Sequence, residues 1–170
     1  MMRRFAAASA AMMILLACLP AGAQASGDSV GLGVALGVAF PSGSTARIAT
    51  ANGEASLDWG FYVNIPLLYT FHLTPSAELY KLGAQNATDV DLAFKFILPL
   101  SRFGLYGGVA PGLTTTGAVT AMHIGLLAGA SFNLVSNLDV FLQGKYQWVF
   151  EGYQNLRVLH LNAGILFNFR

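Results

Sequence analysis

The sequence predicts an all-β fold, an eight-stranded antiparallel up-and-down transmembrane β-barrel. Large apolar residues alternate with small or polar residues along most of the chain, which is the period of a β-strand. Of the 170 residues, 55% are hydrophobic and only 10% are charged, a composition typical of membrane proteins. Beyond residue 25 no apolar run approaches the ~20 residues of a spanning helix, and a closed barrel also satisfies its backbone hydrogen bonds in lipid. A soluble β-sandwich or lipocalin-like barrel is disfavoured, because so few charges would leave too little polar surface.

Residues 1–25 have the pattern of an export signal peptide. Arg3 and Arg4 form a charged start, Phe5–Leu19 is an apolar stretch, and Ala23–Ala25 is a small-x-small cleavage site. Cleavage there would leave residues 26–170 as the barrel domain. The pattern favours ordinary secretion.

Cys18 is the only cysteine and lies inside that leader. Leu15–Cys18 loosely resembles a lipoprotein cleavage box, so lipidation at Cys18 stays an open alternative. After cleavage at residue 25, seven basic residues would face eight acidic ones. The sequence therefore predicts no disulfide or thiol chemistry and no basic surface for nucleic acid.

The first four predicted strands have large apolar residues outward and small or polar residues inward. Residues 30–40 form the first strand, whose inner face is wholly glycine and alanine. The second spans 55–71. Pro66 interrupts its ladder because proline has no N–H, but the alternation continues through Phe71, so we place the next turn at His72–Ser76. The third and fourth strands span 77–83 and 89–98. The predicted loops are Pro41–Gly53, the longest, and Gln85–Thr88.

The last four strands follow the same alternation. They span 103–113, 118–132, 138–150 and 156–169, with loops at Thr114–Gly117 and Glu151–Asn155. The 145 residues after position 25 give about 18 residues per strand and connection, which suits strands of ~10 residues with short turns. Outward aromatic residues cluster at opposite strand ends, as in the two aromatic belts of membrane proteins. One belt would hold Phe40, Trp59, Tyr146 and Trp148, and the other Tyr69, Phe103, Phe132, Phe167 and Phe169.

The last strand carries a sequence motif. Asn162, Gly164, Phe167 and Phe169 give the spacing polar, any, Gly, any, any, aromatic, any, aromatic, which resembles the C-terminal insertion signal of bacterial outer-membrane β-barrels. In that family the last aromatic residue is usually terminal, whereas Arg170 follows it here.

Over residues 28–169 the chain resembles the small outer-membrane barrels of the outer-membrane protein A and X type. The resemblance implies a location in the outer membrane of a Gram-negative envelope. The implied partners are outer-membrane lipid and lipopolysaccharide, the barrel assembly machinery and periplasmic chaperones. The resemblance does not determine an oligomeric state, and we expect a monomer.

Charged and histidine side chains are predicted to point into the lumen. They are Asp58, Glu78, Asp89, Asp91, Lys95, His123, Asp139, Lys145 and His160. Charges inside a narrow lumen must pair or stay hydrated, so we expect an ion-pair and water network that keeps the barrel rigid. A second interpretation groups His123 and His160 with Lys145 or Gln147 and with Glu151 for metal binding or acid–base chemistry. Their spacing has no metal-site signature, so we expect no catalytic residue, metal or cofactor.

The small inner faces of the first and fifth strands leave room in the lumen. We expect Tyr62, Tyr80, Phe141 and Leu166 to fill that room, and a cavity is the alternative. If a cavity conducts a solute, Gly108→Leu should abolish uptake and leave folding intact.

The predicted function is a non-enzymatic envelope role, structural or surface-binding. Alternatives are a narrow channel, transport of a small apolar ligand through the lumen, and lipid A modification. Small outer-membrane deacylases carry a His-x-Ser pair, but glycine stands two residues after His123 and asparagine two residues after His160. Neither histidine has the serine nucleophile that such chemistry needs.

Overall fold

The computed structural model describes residues 29–43, 54–100, 102–117, 119–151 and 154–169. Each strand pairs antiparallel with the next, and the eighth closes on the first, so the predicted eight-stranded barrel is confirmed. No helix in these ranges is long and apolar enough to cross a membrane. The predicted leader with Cys18, most of the Pro41–Gly53 loop and Arg170 lie outside the described residues. The strands are β1 (Val30–Ser42), β2 (Ser56–Leu68), β3 (Phe71–Leu82), β4 (Gln85–Leu100), β5 (Phe103–Thr116), β6 (Val119–Val135), β7 (Leu138–Glu151) and β8 (Gln154–Phe169).

The β1–β8 pair closes the barrel over the full length of β1. Partners run without a break from Val30 opposite Phe169 to Ser42 opposite Arg157. The glycines of β1 make this close approach possible: a Cβ at Gly37 would collide with Asn162 Oδ1 and with the Leu161 carbonyl oxygen. The wholly small inner face of β1 is therefore a packing requirement of the closing strand pair.

The predicted turn at His72–Ser76 is wrong. β2 ends at Leu68, Tyr69–Thr70 is a two-residue turn, and β3 begins at Phe71. The register shifts between Pro66 and Leu68, next to the proline that has no N–H to donate. A two-residue hairpin normally shifts the odd-even alternation by one position, as it does where Leu82 pairs with Gln85. The bulge between Pro66 and Leu68 adds one residue that cancels this shift, so the alternation continues through the turn as if the strand did.

The other short connections are shorter than predicted. Gly83 and Ala84 alone join β3 to β4, so Gln85–Thr88 is strand rather than loop, and Thr114–Thr116 belongs to β5. Gly83 and Gly117 have φ values of 61° and 54°, in the left-handed region that tight hairpin turns require and glycine adopts without strain.

The two walls of the barrel have the predicted polarity. On the outside, Leu36 is 64% exposed and Leu142 65% exposed, whereas Asp58 and His160 inside are fully buried. Val63 and Ile65 are exceptions on the outer side of β2, since both are buried. They precede the register shift between Pro66 and Leu68. An apolar exterior around a polar interior is the reverse of a soluble barrel and matches a membrane-spanning one.

The aromatic belts lie at opposite ends of the barrel. We call the end with Tyr69–Thr70, 101–102 and 136–137 the turn end, and the end with 43–55, Gly83–Ala84, 117–118 and 152–153 the loop end. Near the loop end the rings of Tyr146 and Trp148 are 4.7 Å apart. Near the turn end Phe103 lies 4.8 Å from Phe132 and Phe167 lies 5.0 Å from Phe169. Aromatic residues at both ends of the barrel are typical of the two membrane–water interfaces.

Candidate functional site in the barrel lumen

The lumen at the loop end is closed by apolar side chains. We call this group the apolar cap. Each member is at most 5% exposed, and each lies on an inward-facing position: Ala39, Tyr80, Leu82, Ala87, Ala121, Val149, Leu156 and Val158. These side chains come from six of the eight strands and pack against one another, so this layer of the lumen is apolar and filled.

Lys145 is the centre of a buried polar layer directly below the cap. Its ammonium lies 2.8 Å from Asp91 Oδ2, 2.5 Å from Glu78 Oε2 and 3.9 Å from Asp89 Oδ2. Lys145 is only 1% exposed, so these carboxylates replace the water that its charge loses on burial. We call the whole layer the central network: Asp58, Glu78, Asp89, Asp91, His123, Lys145, Gln147 and His160.

His123 joins Asp91 to a hydroxyl group. Its Nε2 lies 2.5 Å from Asp91 Oδ1, and its Nδ1 lies 2.8 Å from Thr114 Oγ1. Carboxylate, imidazole and hydroxyl follow one another as in a nucleophilic triad. However, Thr114 is fully buried and already accepts a hydrogen bond from Gln147 Nε2 at 3.1 Å. A substrate has no access to that hydroxyl, so the arrangement suits a structural bridge.

His160 has a carboxylate partner of its own. Its Nδ1 lies 2.8 Å from Asp58 Oδ2, and its ring packs edge-on against Tyr80 at 4.8 Å. The two histidines thus bind different carboxylates, and the contact with Glu151 in the second interpretation falls outside what the structure describes. Glu151 ends β7, and its side chain lies outside the described residues.

Asp58, Glu78 and His160 could in principle ligate a metal, because one ligand atom from each lies within 4.8 Å of the others. The Lys145 ammonium, however, lies 2.5 Å from Glu78 Oε2. A cation in this layer would have to displace or face that positive charge. The donor set therefore fits an internal ion-pair network better than a metal centre.

Two tyrosines form hydrogen bonds with the central network, although the sequence predicted only a filling role for them. The Tyr62 hydroxyl donates to Glu78 Oε1 at 2.7 Å and accepts from Asn162 Nδ2 at 3.2 Å. The Tyr80 hydroxyl donates to Asp89 Oδ1 at 3.2 Å. Their inward parity was the available signal, since a buried tyrosine needs a hydrogen-bond partner for its hydroxyl.

Asp139 and Lys95 point inward as predicted but stand apart from the central network. Asp139 lies nearer the turn end and accepts hydrogen bonds from Asn133 at 2.7 Å and Asn168 at 2.8 Å. Lys95 is 8% exposed, and its ammonium lies over the ring of Tyr106 at 4.9 Å and of Tyr62 at 5.9 Å. No carboxylate of the described residues lies within ion-pairing distance of Lys95.

The turn half of the lumen holds a cavity of about 320 Å³. Tyr62, Phe141 and Leu166 pack together against Ala35 of β1 and also line this cavity, while Tyr80 belongs to the apolar cap. These side chains therefore fill the room beside β1 as expected, but a cavity remains next to them in the turn half.

Gly108 cannot accept the predicted leucine without damage to the fold. A Cβ there would collide with the carbonyl oxygen of Phe94 and lie 3.1 Å from Lys95 Cα. These are backbone atoms of the neighbouring strand, which cannot move aside cheaply. The expectation that Gly108→Leu leaves folding intact is wrong, because the missing side chain serves strand pairing and not an open space.

The four residues of the C-terminal motif lie on both walls. Asn162 is buried against Tyr62, and Gly164 lies under the Phe141 ring, where a Cβ would come within 2.6 Å of Cζ. Phe167 and Phe169 face outward and are 43% and 50% exposed. The motif therefore combines two lumen contacts with two lipid-facing rings, and its role in insertion stays a prediction.

No protein-family model matches the sequence, and no curated protein sequence matches it. Among solved structures the barrel is similar to Neisserial surface protein A, with a TM-score of 0.72 and 15% identity over 85% of this chain and 100% of that one. It is also similar to the N-terminal β-barrel domain of OprF from Pseudomonas aeruginosa (TM-score 0.54, 15% identity, 85% of this chain, 100% of that one). A third is Ail, the attachment invasion locus protein of Yersinia pestis (TM-score 0.50, 12% identity, 82% of this chain, 99% of that one). The chain thus has the fold of the eight-stranded outer-membrane β-barrels.

Proposed function

We propose that the protein is an integral outer-membrane barrel with a non-enzymatic, structural role in the envelope. The observation that carries this proposal is the closed loop half of the lumen. The apolar cap lies on a central network whose charges are paired with one another. Within the described residues, this half of the lumen therefore favours neither ion passage nor catalysis. An eight-stranded barrel has an interior just wide enough for side chains to fill, and these residues use that width for packing.

The barrel should not conduct ions. Purified protein in planar bilayers should give no stepwise current above that of the lipid alone, whereas a barrel with an open lumen would. Stable unit conductances from preparations of proven purity would contradict the closed lumen and favour the narrow-channel alternative.

Lipid chemistry is the second alternative to test. The Asp91–His123–Thr114 chain is the described group that comes nearest to a catalytic arrangement, so Thr114→Val is the informative variant. Mass spectrometry of lipid A from cells with and without the gene should give the same species. A mass change that depends on Thr114 would overturn the non-enzymatic role.

The partners we propose are lipid, lipopolysaccharide, the barrel assembly machinery and periplasmic chaperones. We propose that the protein acts as a monomer. Exposed apolar side chains around the whole barrel support contact with lipid. Sucrose-gradient fractionation should place the protein with outer-membrane lipopolysaccharide. Recovery with inner-membrane markers would contradict the location.

Surface binding is a more specific candidate role, and it would depend on the connections at the loop end. Three of the four connections there have only two residues, and 43–55 is the longer one. Replacement of residues 44–53 by a Gly-Ser linker should leave folding and envelope integrity unchanged under the structural role. Loss of cell attachment in that variant alone would favour surface binding.

A further inference from the structure

We propose that the turn-end cavity binds a small organic anion, with its acidic group on Lys95 and its apolar body against the aromatic wall. This site differs in kind from the closed structural layer above it. The proposal rests on three features of the cavity: an uncommitted buried cation, carboxylates that are all engaged elsewhere, and a wall of mixed polarity.

Lys95 is the cation. It is more than nine-tenths buried. Within the described residues its ammonium makes cation–π contacts with the faces of Tyr106 and Tyr62 and no ion pair. A lysine ammonium has three N–H donors, and aromatic faces attract its charge without accepting those hydrogens in the manner of an oxygen. Lys145 shows the usual solution in this lumen, since several carboxylates surround it. Lys95 lines the cavity instead.

The carboxylates that could neutralise Lys95 are engaged elsewhere. Glu78 accepts from Tyr62 and pairs with Lys145, and Asp91 binds Lys145 and His123. Asp139 lines the cavity, but both of its oxygens accept hydrogen bonds from asparagine side chains. Arg102, an exposed cation, also lines this space at the turn end. Two cations therefore line the cavity against one carboxylate, Asp139, whose oxygens are already occupied by asparagine donors.

The remaining wall specifies the body of the ligand. Tyr106, Phe141, Ile97 and Leu166 present ring and aliphatic surface, with the Asn64 and Thr74 side chains nearby. The volume of about 320 Å³ is at the lower end of the ~300–1,000 Å³ usual for small-molecule pockets. A one-ring carboxylate matches this size, charge and polarity. Because the cavity lies at the turn end and the cap closes the other end, the anion would enter and leave on one side.

Benzoate is a suitable probe, benzamide is its neutral counterpart, and inorganic phosphate is an anion without an apolar body. The folded full-length barrel in detergent micelles would be titrated with each, to roughly 50 mM, while amide shifts are followed by NMR. We expect saturable shifts at Gly104, Tyr106 and Asn64 with benzoate, and affinities about tenfold or more weaker for the other two. Lys95→Met should weaken benzoate binding by about tenfold or more, whereas Lys81→Met, which removes a lysine at the loop end, should not change it.

Folding of each variant is checked by its heat-dependent gel mobility, and Lys95→Gln serves as a second, polar substitution. The comparison of benzoate, benzamide and phosphate uses only the wild-type protein, so it does not depend on whether a variant folds. Equal binding of benzoate and benzamide would show an apolar pocket and overturn the anion site. Phosphate that binds as tightly as benzoate would overturn the role of the aromatic wall. The absence of saturable shifts with benzoate would overturn the proposal as a whole, and ion conductance of the barrel would not bear on it.

Discussion

The ammonium nitrogen of Lys145 lies 2.8 Å from Asp91 Oδ2 in the middle of the barrel, where both side chains are at most 3% exposed. Removal of one member of a buried pair leaves an uncompensated charge, which costs about 3–5 kcal/mol. Lys145→Met should therefore lower the free energy of unfolding in urea by that amount, measured in lipid vesicles.

Two further variants complete this test. Lys81→Met, which removes an exposed lysine, should change stability by no more than about 0.5 kcal/mol. The double variant Lys145→Met with Asp91→Asn should lose less than the sum of the two single changes, because each removes the partner of the other. Additive losses would contradict the pairing.

The outer wall should respond to charge according to depth. Leu126 lies midway along β6 and is 50% exposed, while Met122 lies near the loop end and is 69% exposed. Leu126→Arg should cost about 2–4 kcal/mol of unfolding free energy in vesicles and Met122→Arg about 0–1 kcal/mol. Equal costs, or no cost at Leu126, would mean that β6 does not face lipid along its length.

Neighbouring glycines on β5 should differ in their tolerance of a methyl group. Gly108→Ala would drive a Cβ into the Phe94 carbonyl oxygen, whereas at Gly107 the nearest atom is the Leu127 oxygen at an ordinary 3.6 Å. Overpacking of this kind costs about 1–3 kcal/mol, so Gly108→Ala should unfold at lower urea concentration. Gly107→Ala is the matched control and should lie within about 0.5 kcal/mol of wild type. The reverse order of the two midpoints would count against the β4–β5 register.

The C-terminal motif makes a prediction about assembly rather than stability. Phe169→Ala should reduce the fraction of folded barrel in outer membranes several-fold, while removal of Arg170 should have little effect. Phe103→Ala is the control, because Phe103 is an equally exposed aromatic residue near the same end of the barrel but lies outside the motif. Folded and unfolded bands on unheated gels provide the measurement. Equal losses for Phe169 and Phe103 would assign both to lipid contact alone.

Which wall each residue faces could be predicted from the sequence, because side-chain parity is a local property of a strand. Parity also explains the error at the second turn. Tyr69 and Thr70 reverse the chain without a change in the alternation, so no break in the pattern marks them. Gly83 and Gly117, which adopt positive φ, lie in the two-residue turns themselves, whereas the polar stretches 85–88 and 114–116 are strand. Single glycines were therefore the better sequence signal for short connections.

The partners inside the lumen could not be predicted, because they depend on the stagger of strands around the barrel. Lys95 and Lys145 look alike in the sequence, because each lies at an inward position of a strand whose outward residues are apolar. The register places Lys145 among carboxylates from β3 and β4, while it places Lys95 opposite Gly108 and over two aromatic rings. The alternation along one strand does not show which residues lie opposite it. It therefore cannot distinguish a lysine paired with carboxylates from one that lies over aromatic rings.

The lumen is packed at one end and open at the other, and this asymmetry has an electrical consequence. Water and salt that enter the turn half would give it a high dielectric constant, so a voltage applied across the bilayer would fall mainly over the packed half. The field on Lys145, His160 and their carboxylates would then be stronger than in a uniform slab of the same thickness. Charges that no solvent screens would sense the membrane potential, even though no current passes.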